Sequence, residues 1–128
     1  MASPLPVQIA LRALHDTGHK VQRLTQEEAG DERIYEVDGT RYDLGEVRDL
    51  AEAAIIEFRA KAAEIINAAP GVDLTVTEEM KTSHGRVGFI GGSKSRPHRT
   101  TWVNLRDMKA WALVAERTIV IAAKAAAA

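Results

Sequence analysis

The strongest constraint on the fold is a stripe of apolar residues in the middle of the chain. Its members recur at helical spacing and are Val47, Leu50, Ala51, Ala54, Ile55, Phe58, Ala62, Ile65 and Ile66. Asp43 and Glu46 have the spacing of a capping box at its start, and Pro70-Gly71 ends it. The pattern predicts an amphipathic helix over about residues 46–68, with Phe58 at the centre of its buried face and Arg59 exposed.

Segments of alternating polarity on both sides of this helix predict antiparallel hairpins. Asp38-Gly39 favours a two-residue turn, because both positions tolerate positive φ. This turn pairs Tyr35 with Tyr42 and Glu36 with Arg41 in a hairpin over residues 33–44. A second hairpin is expected from a strand over about residues 72–80, a turn at 81–85 and a returning strand over 86–90. Residues 19–25 also alternate and predict a strand.

Both ends of the chain predict helices. Apolar residues from Val7 to Leu14 recur at helical spacing, and Gly18 ends that pattern. Asn104 can cap a last helix over about residues 105–124, although the β-branched run at 118–121 leaves a terminal strand as the alternative. This last segment is apolar nearly all round, so we expect another surface, such as a neighbouring subunit, to bury it.

Together these elements predict a single α+β domain over residues 1–128. One long amphipathic helix packs on an antiparallel sheet of two hairpins, with short terminal helices. Charged residues interrupt the apolar C-terminal segment, so we expect no membrane span.

The formal charge of the chain is divided along its length. Residues 1–80 carry 8 Lys+Arg against 16 Asp+Glu, a balance of −8, whereas residues 81–128 carry 9 against 2, a balance of +7. The total of −1 hides this asymmetry. Such a division indicates either a polyanionic partner for the basic part or copies that meet acidic face to basic face.

Catalytic and metal-binding patterns are not expected. The chain has no cysteine, which excludes disulfides, thiolate nucleophiles and thiolate zinc sites. His15 and His19 are four residues apart, but Gly18 lies between them and should end the helix they would share. Residues 91–95 lack the spacing of a phosphate-binding loop. We therefore expect no catalytic residue, no metal site and no cofactor.

A basic loop is predicted over residues 91–101, where apolar periodicity is absent. The candidate contact residues are Lys94, Arg96, Arg99, Trp102 and Arg106. Cations attract phosphate, and a tryptophan can stack on a base. Three interpretations stay open: a contact with nucleic acid, a solvated mobile loop, or a contact with the acidic face of another subunit.

Two segments carry a resemblance to a known family. Residues 60–70 form an alanine-rich helix that ends in Ala-Pro and is followed at once by a strand, and residues 84–89 form the second strand of a hairpin. This pattern resembles the small head–tail joining and tail-completion proteins of long-tailed bacteriophages, over about residues 47–90. The chain departs from the family's usual residues at Gly71-Val72-Asp73 and at Arg96-Pro97-His98-Arg99.

The resemblance implies a non-enzymatic structural protein, because that family carries no catalytic residues. We expect homo-oligomeric rings in a phage head–tail junction or tail, assembled in the host cytoplasm and located in the virion. The expected partners are other copies of the chain and other virion structural proteins. The alternative is a small nucleic-acid-binding module that uses residues 94–102 for non-specific contact.

Overall fold

The computed structural model describes residues 5–28, 30 and 32–127. Along this part of the chain the elements are α1 (Val7–Asp16), β1 (Val21–Arg23), β2 (Tyr35–Val37), β3 (Thr40–Tyr42), α2 (Leu44–Ala68), β4 (Thr75–Ser83), β5 (Arg86–Gly92), β6 (Thr100–Asn104) and α3 (Leu105–Ala127). The predicted α+β class and the long central helix are confirmed. The chain forms two compact units, residues 1–57 and 58–128, and the boundary lies within α2. That the chain folds as one cooperative domain stays a prediction.

The first unit contains an antiparallel sheet in the order β1-β2-β3. The predicted turn is confirmed, with φ of 52° at Asp38 and 86° at Gly39. The predicted register is also confirmed, since Tyr35 lies opposite Tyr42 and Glu36 opposite Arg41. β1 pairs with the other side of β2 and completes the sheet. Leu14, Val47 and Ile55 are the largest fully buried side chains of this unit.

The first hairpin is shorter than the predicted range of residues 33–44, because α2 begins at Leu44. The capping box sets this start. The backbone N–H of Glu46 donates to Asp43 Oδ1 at 2.8 Å, and the backbone N–H of Asp43 donates to Glu46 Oε1 at 3.1 Å.

The second unit contains an antiparallel sheet in the order β4-β5-β6. Its hairpin turn is narrower than the predicted 81–85, because β4 continues to Ser83 and only His84 and Gly85 turn, with φ of 52° and 72°. The register of β4 against β5 shifts between Val76 and Met80. Each hairpin has recruited a third strand, so the strands form two sheets and not the one sheet of two hairpins that was predicted.

The long helix contributes to the core of each unit with a different set of residues. Val47, Ala51 and Ile55 are buried in the first unit, and Ala62, Ala63 and Ile66 in the second. The prediction that Phe58 is the centre of the buried face was wrong, because Phe58 is only half-buried.

Arg59 is also not exposed as predicted, since only 16% of its side chain is accessible. Its guanidinium lies 5.9 Å from the centre of the Phe89 ring and 3.6 Å from the Glu78 carboxylate, and it donates to the Thr77 carbonyl at 3.4 Å. These contacts with β4 and β5 hold the arginine against the sheet, so the packed side of α2 includes Arg59 in addition to residues of the predicted stripe.

The C-terminal segment is a helix, so the alternative of a terminal strand is wrong. The predicted cap is confirmed, because the backbone N–H of Asp107 donates to Asn104 Oδ1 at 2.8 Å. The predicted range of about residues 105–124 is close to the observed one, although at 23 residues α3 is longer than a short terminal helix. Its first half contacts β5 and β6 and buries Leu105, Met108 and Ala115. Within residues 5–28, 30 and 32–127, no helix combines the length and hydropathy needed to cross a membrane.

Candidate interaction site

The basic loop is shorter than predicted and is anchored at its first half. β5 extends to Gly92 and β6 begins at Thr100, which leaves residues 93–99 as the loop. The hydroxyls of Ser93 and Ser95 both donate to Asp73 Oδ2 at 2.8 Å, and the backbone N–H of Ser95 donates to Asp73 Oδ1 at 2.8 Å. The N–H of Arg96 in turn donates to the Ser93 hydroxyl at 3.0 Å. One carboxylate therefore organises the base of the loop.

The Asp73 anchor predicts a pH dependence of the loop. The Ser95 backbone N–H, the Ser95 hydroxyl and the Ser93 hydroxyl lower the pKa of Asp73 from 3.8 to about 2. A lowered pKa means that the anchored loop favours the ionised carboxylate. The anchor should be complete above about pH 4 and should be lost as the pH falls towards 2.

The amide proton of Ser95, followed by NMR, should report this titration with an apparent pKa near 2. In Asp73→Asn that titration should disappear, and trypsin should cleave after Arg99 more readily at neutral pH. An Ser95 amide that titrates near the ordinary aspartate pKa of about 3.9 would contradict the anchor.

The side chain of Lys94 binds the C-terminal end of helix α2. Its Nζ donates to the carbonyl oxygens of Ile66 and Ala69, both at 2.8 Å, and its side chain is half-buried. The last carbonyls of a helix have no partner within the helix, and the helix dipole favours a cation there. The last turn of α2 itself contains no basic residue. Lys94 therefore supplies the missing charge from a distant part of the chain, which leaves it poorly placed to contact a phosphate.

Trp102 is similarly held within the sheet. Its indole N–H donates to the carbonyl oxygen of Lys81 at 2.8 Å, so the ring reaches across β5 to β4. Gly88 makes room for this, because a Cβ there would lie 2.5 Å from the indole nitrogen. The tryptophan is half-buried and serves as a cross-strand brace.

The other three candidate residues are arginines whose side chains are not held by contacts of this kind. Arg96, Arg99 and Arg106 are exposed, and their guanidinium groups make no hydrogen bond or ion pair with the residues that the structure describes. Arg96 and Arg99 lie on one turn, where the N–H of Arg99 donates to the carbonyl of Arg96 at 2.9 Å. The structure therefore divides the five candidates into two structural residues and three available cations.

A second apolar face of α3 is exposed, on a different side from the residues that meet the sheet. It consists of the apolar Trp111, Val114 and Ile121 together with Thr118, whose hydroxyl donates to the carbonyl of Ala115 at 2.8 Å, and we call it the α3 seam. Trp111, Val114 and Ile121 are 41%, 48% and 66% exposed, and Thr118 is half-buried. Spacings of 3, 4 and 3 residues place the four on one side of the helix, as in helices that pack lengthwise on another helix. Asp107, Ala110, Trp111 and Val114 line a shallow depression at its start.

No group of three or more metal-ligating side chains occurs among the described residues. His19 Nδ1 lies 2.7 Å from Asp38 Oδ2, beside the turn of the first sheet, and His15 is exposed. No protein-family model, no curated protein and no solved structure matches this chain. The site therefore has to be interpreted from its own geometry, which consists of exposed cations and an exposed apolar seam.

Sequence reasoning missed two features of this region. Asp73 accepts hydrogen bonds from residues 93 and 95, which lie about twenty positions away in the sequence. No local sequence pattern predicts these hydrogen bonds. The α3 seam could have been found, because its spacing is present in the sequence. It was hidden because apolar residues occur around most of α3, and only the packing on β5 and β6 shows which side remains open.

Proposed function

We propose that this protein is a non-enzymatic structural protein that assembles with copies of itself into a ring. We place that ring in the head–tail junction or tail of a phage particle, assembled in the host cytoplasm and then part of the virion, with other virion structural proteins as neighbours. The phage setting is supported by the sequence resemblance over about residues 47–90. The absence of a catalytic role is part of the same proposal.

The observation that carries the proposal is the α3 seam. A row of large apolar side chains on a helix rarely stays in water and usually marks a protein–protein contact. Leu113 and Val120 add to the exposed apolar surface of the same helix. A helix that buries one face on its own sheet and leaves another apolar face open is suited to hold a neighbouring molecule.

The charge distribution supports contacts between copies. The first unit carries 6 Lys+Arg against 12 Asp+Glu, a balance of −6, and the second carries 11 against 6, a balance of +5. The two units therefore carry opposite net charges, in the same sense as residues 1–80 and 81–128. Opposite charges on two parts of the same chain attract unlike surfaces of neighbouring copies and steer their encounter.

Self-association should therefore be measurable and sensitive to salt. We expect oligomers at low ionic strength that weaken as salt is added, because screening is substantial once the Debye length falls to ~8 Å. Val114→Asp should reduce the oligomer to a monomer, because it places a charge in the seam. Sedimentation velocity across a salt series measures both effects.

Ala123→Asp is the matched control. Ala123 is exposed on the opposite side of α3 from Val114, and the substitution changes the net charge equally. It should leave the oligomer intact. A chain that remains monomeric at high concentration and low salt would contradict self-assembly in solution.

The second candidate function is non-specific binding of nucleic acid through the basic loop. Arg96 and Arg99 favour it, because both are exposed on one turn without partners among the described residues. If this function holds, Arg96→Ala/Arg99→Ala should weaken DNA binding on any sequence and reduce its salt slope by about one unit for each lost phosphate contact.

Under the assembly proposal the unmodified protein should show negligible DNA affinity, as should the double variant. Fluorescence anisotropy with a labelled duplex over a salt series measures this. Salt-sensitive micromolar binding by the unmodified protein would favour the second function over the first.

A further inference from the structure

We infer that the α3 seam of one copy docks on the acidic face of helix α2 of the next copy. This inference rests on the proposed self-assembly and names the two surfaces that make the contact. The acidic α2 face consists of Asp49, Glu52, Ala53 and Ile56, all within the first unit.

The acidic α2 face is exposed and combines two carboxylates with a large apolar side chain at one end. Its four residues have the spacing i, i+3, i+4 and i+7, which places them on one side of the helix. All four are exposed, and Ile56, at 67%, is the most exposed large apolar side chain in the described part of the chain. Asp49 and Glu52 make no ion pair or hydrogen bond with the described residues, so their charges are available to a partner.

The α3 seam is bordered by basic residues along one side. Arg106, Arg117 and Lys124 are separated by 11 and 7 residues, which are close to three and two whole turns of a helix. They therefore line up along one edge of the seam. All three are exposed and have no ion-pair partner within residues 5–28, 30 and 32–127.

The two surfaces match in exposed apolar character and are opposite in charge. Each presents apolar side chains between or beside ions, and the ions are basic on α3 and acidic on α2. Helices that pack side by side bury such a seam and pair the flanking charges, which selects the partner. A second α3 would offer the same basic edge, whereas the acidic α2 face offers two carboxylates to Arg117 and Lys124. The charges therefore favour α2 as the occupant.

A contact between two different surfaces of the same chain is heterologous. Each copy then offers one free α3 seam and one free acidic α2 face, so a chain of contacts either closes into a ring or extends as a filament. This geometry agrees with ring assembly and requires no second kind of subunit.

Complementary charge reversal tests the contact. The α3 variant is Arg117→Glu/Lys124→Glu, the α2 variant is Asp49→Lys/Glu52→Lys, and the readout is mass by sedimentation velocity at low salt. Each variant alone should associate more weakly than the unmodified protein, by about ten-fold or more. Their equimolar mixture should recover the mass of the unmodified protein, because both alternating contacts again join opposite charges. Lys81→Glu/Lys109→Glu changes the charge as much as the α3 variant does, away from the seam, and should assemble normally.

Cross-linking gives a second measurement that does not depend on the charge variants. The chain has no cysteine, so Ile56→Cys and Val114→Cys introduce single thiols. A mixture of these two variants should form a disulfide-linked dimer on oxidation, whereas Ile56→Cys mixed with Ala123→Cys should not.

The outcomes separate the inference from the proposed function. If the unmodified protein assembles but the α2 variant assembles equally well, the acidic α2 face is not the partner and only the inference fails. Cross-linking of Val114→Cys with itself, together with normal assembly of the α3 variant, would indicate pairing of α3 with α3 and would likewise overturn it. An unmodified protein that never assembles would overturn both.

Discussion

Replacement of Ile66 by alanine should lower the free energy of unfolding by about 2–5 kcal/mol, the usual cost of deleting a buried isoleucine side chain. Ile66 is completely buried in α2, so its truncation leaves a cavity in a close-packed interior. A small domain has a total stability of about 5–15 kcal/mol, so this loss should be visible as a large drop in melting temperature. Thermal and urea denaturation measure it.

Phe58→Ala is the comparison that makes the result informative. Phe58 is only partly buried, so its truncation should cost less than the ~3–5 kcal/mol that a fully buried phenylalanine costs. The sequence alone predicts a fully buried Phe58, whose truncation would carry that full cost. If Phe58→Ala proves at least as destabilising as Ile66→Ala, the buried face of α2 is centred where the sequence placed it.

Features with local causes were predictable from the sequence. The turn at Asp38-Gly39 set the register of its hairpin, because both residues accept positive φ. Asn104 fixed the start of the last helix through a cap only three residues long. In each case the chemistry that decides the structure lies within a few positions of the residue it affects.

Features that depend on distant parts of the chain were not predictable in this way. The third strand of each sheet pairs through contacts that no periodicity encodes, so two sheets appear where one was expected. The sequence predicts an exposed Arg59. In the structure, contacts with the ring of Phe89 and the carboxylate of Glu78 hold it against the sheet. The apolar stripe of α2 was broad enough to fit more than one buried face, and the tertiary partners selected among them.

The candidate site changed for the same reason. Lys94 and Arg96 look equivalent in the sequence, as two cations of one basic loop. In the structure the Lys94 ammonium donates to a carbonyl at the C-terminal end of α2, whereas Arg96 is exposed to solvent. A cluster of cations therefore overstates the number of groups available to a partner, since Lys94 already donates its hydrogen bonds within the fold. Interaction surfaces are better sought among exposed side chains that have no internal partner.

Replacement of Lys94 by methionine should destabilise the protein by about 1.5–3 kcal/mol, the range for hydrogen bonds to a charged group. The substitution keeps an unbranched apolar stem but removes the ammonium that binds the carbonyls of Ile66 and Ala69. Both carbonyls would lose the ammonium and with it the cation that complements the helix dipole, while the Ile66 carbonyl would keep the backbone N–H of Ala69 at 3.3 Å. Urea denaturation, with far-UV circular dichroism as the signal, measures the loss.

Arg96→Met is the matched control, because it removes a charge from the same loop. Arg96 is exposed, so its substitution should change the stability by less than about 0.5 kcal/mol. Equal stabilities for the two variants would mean that Lys94 does not close the helix, and it would return to the set of cations available for a partner. A large difference would instead mean that any contact with phosphate or with an acidic surface is made by Arg96 and Arg99. Substitutions at Arg96 and Arg99 should then change partner binding, whereas substitution at Lys94 should change stability. The reason is that the Lys94 ammonium is already bound to the end of α2.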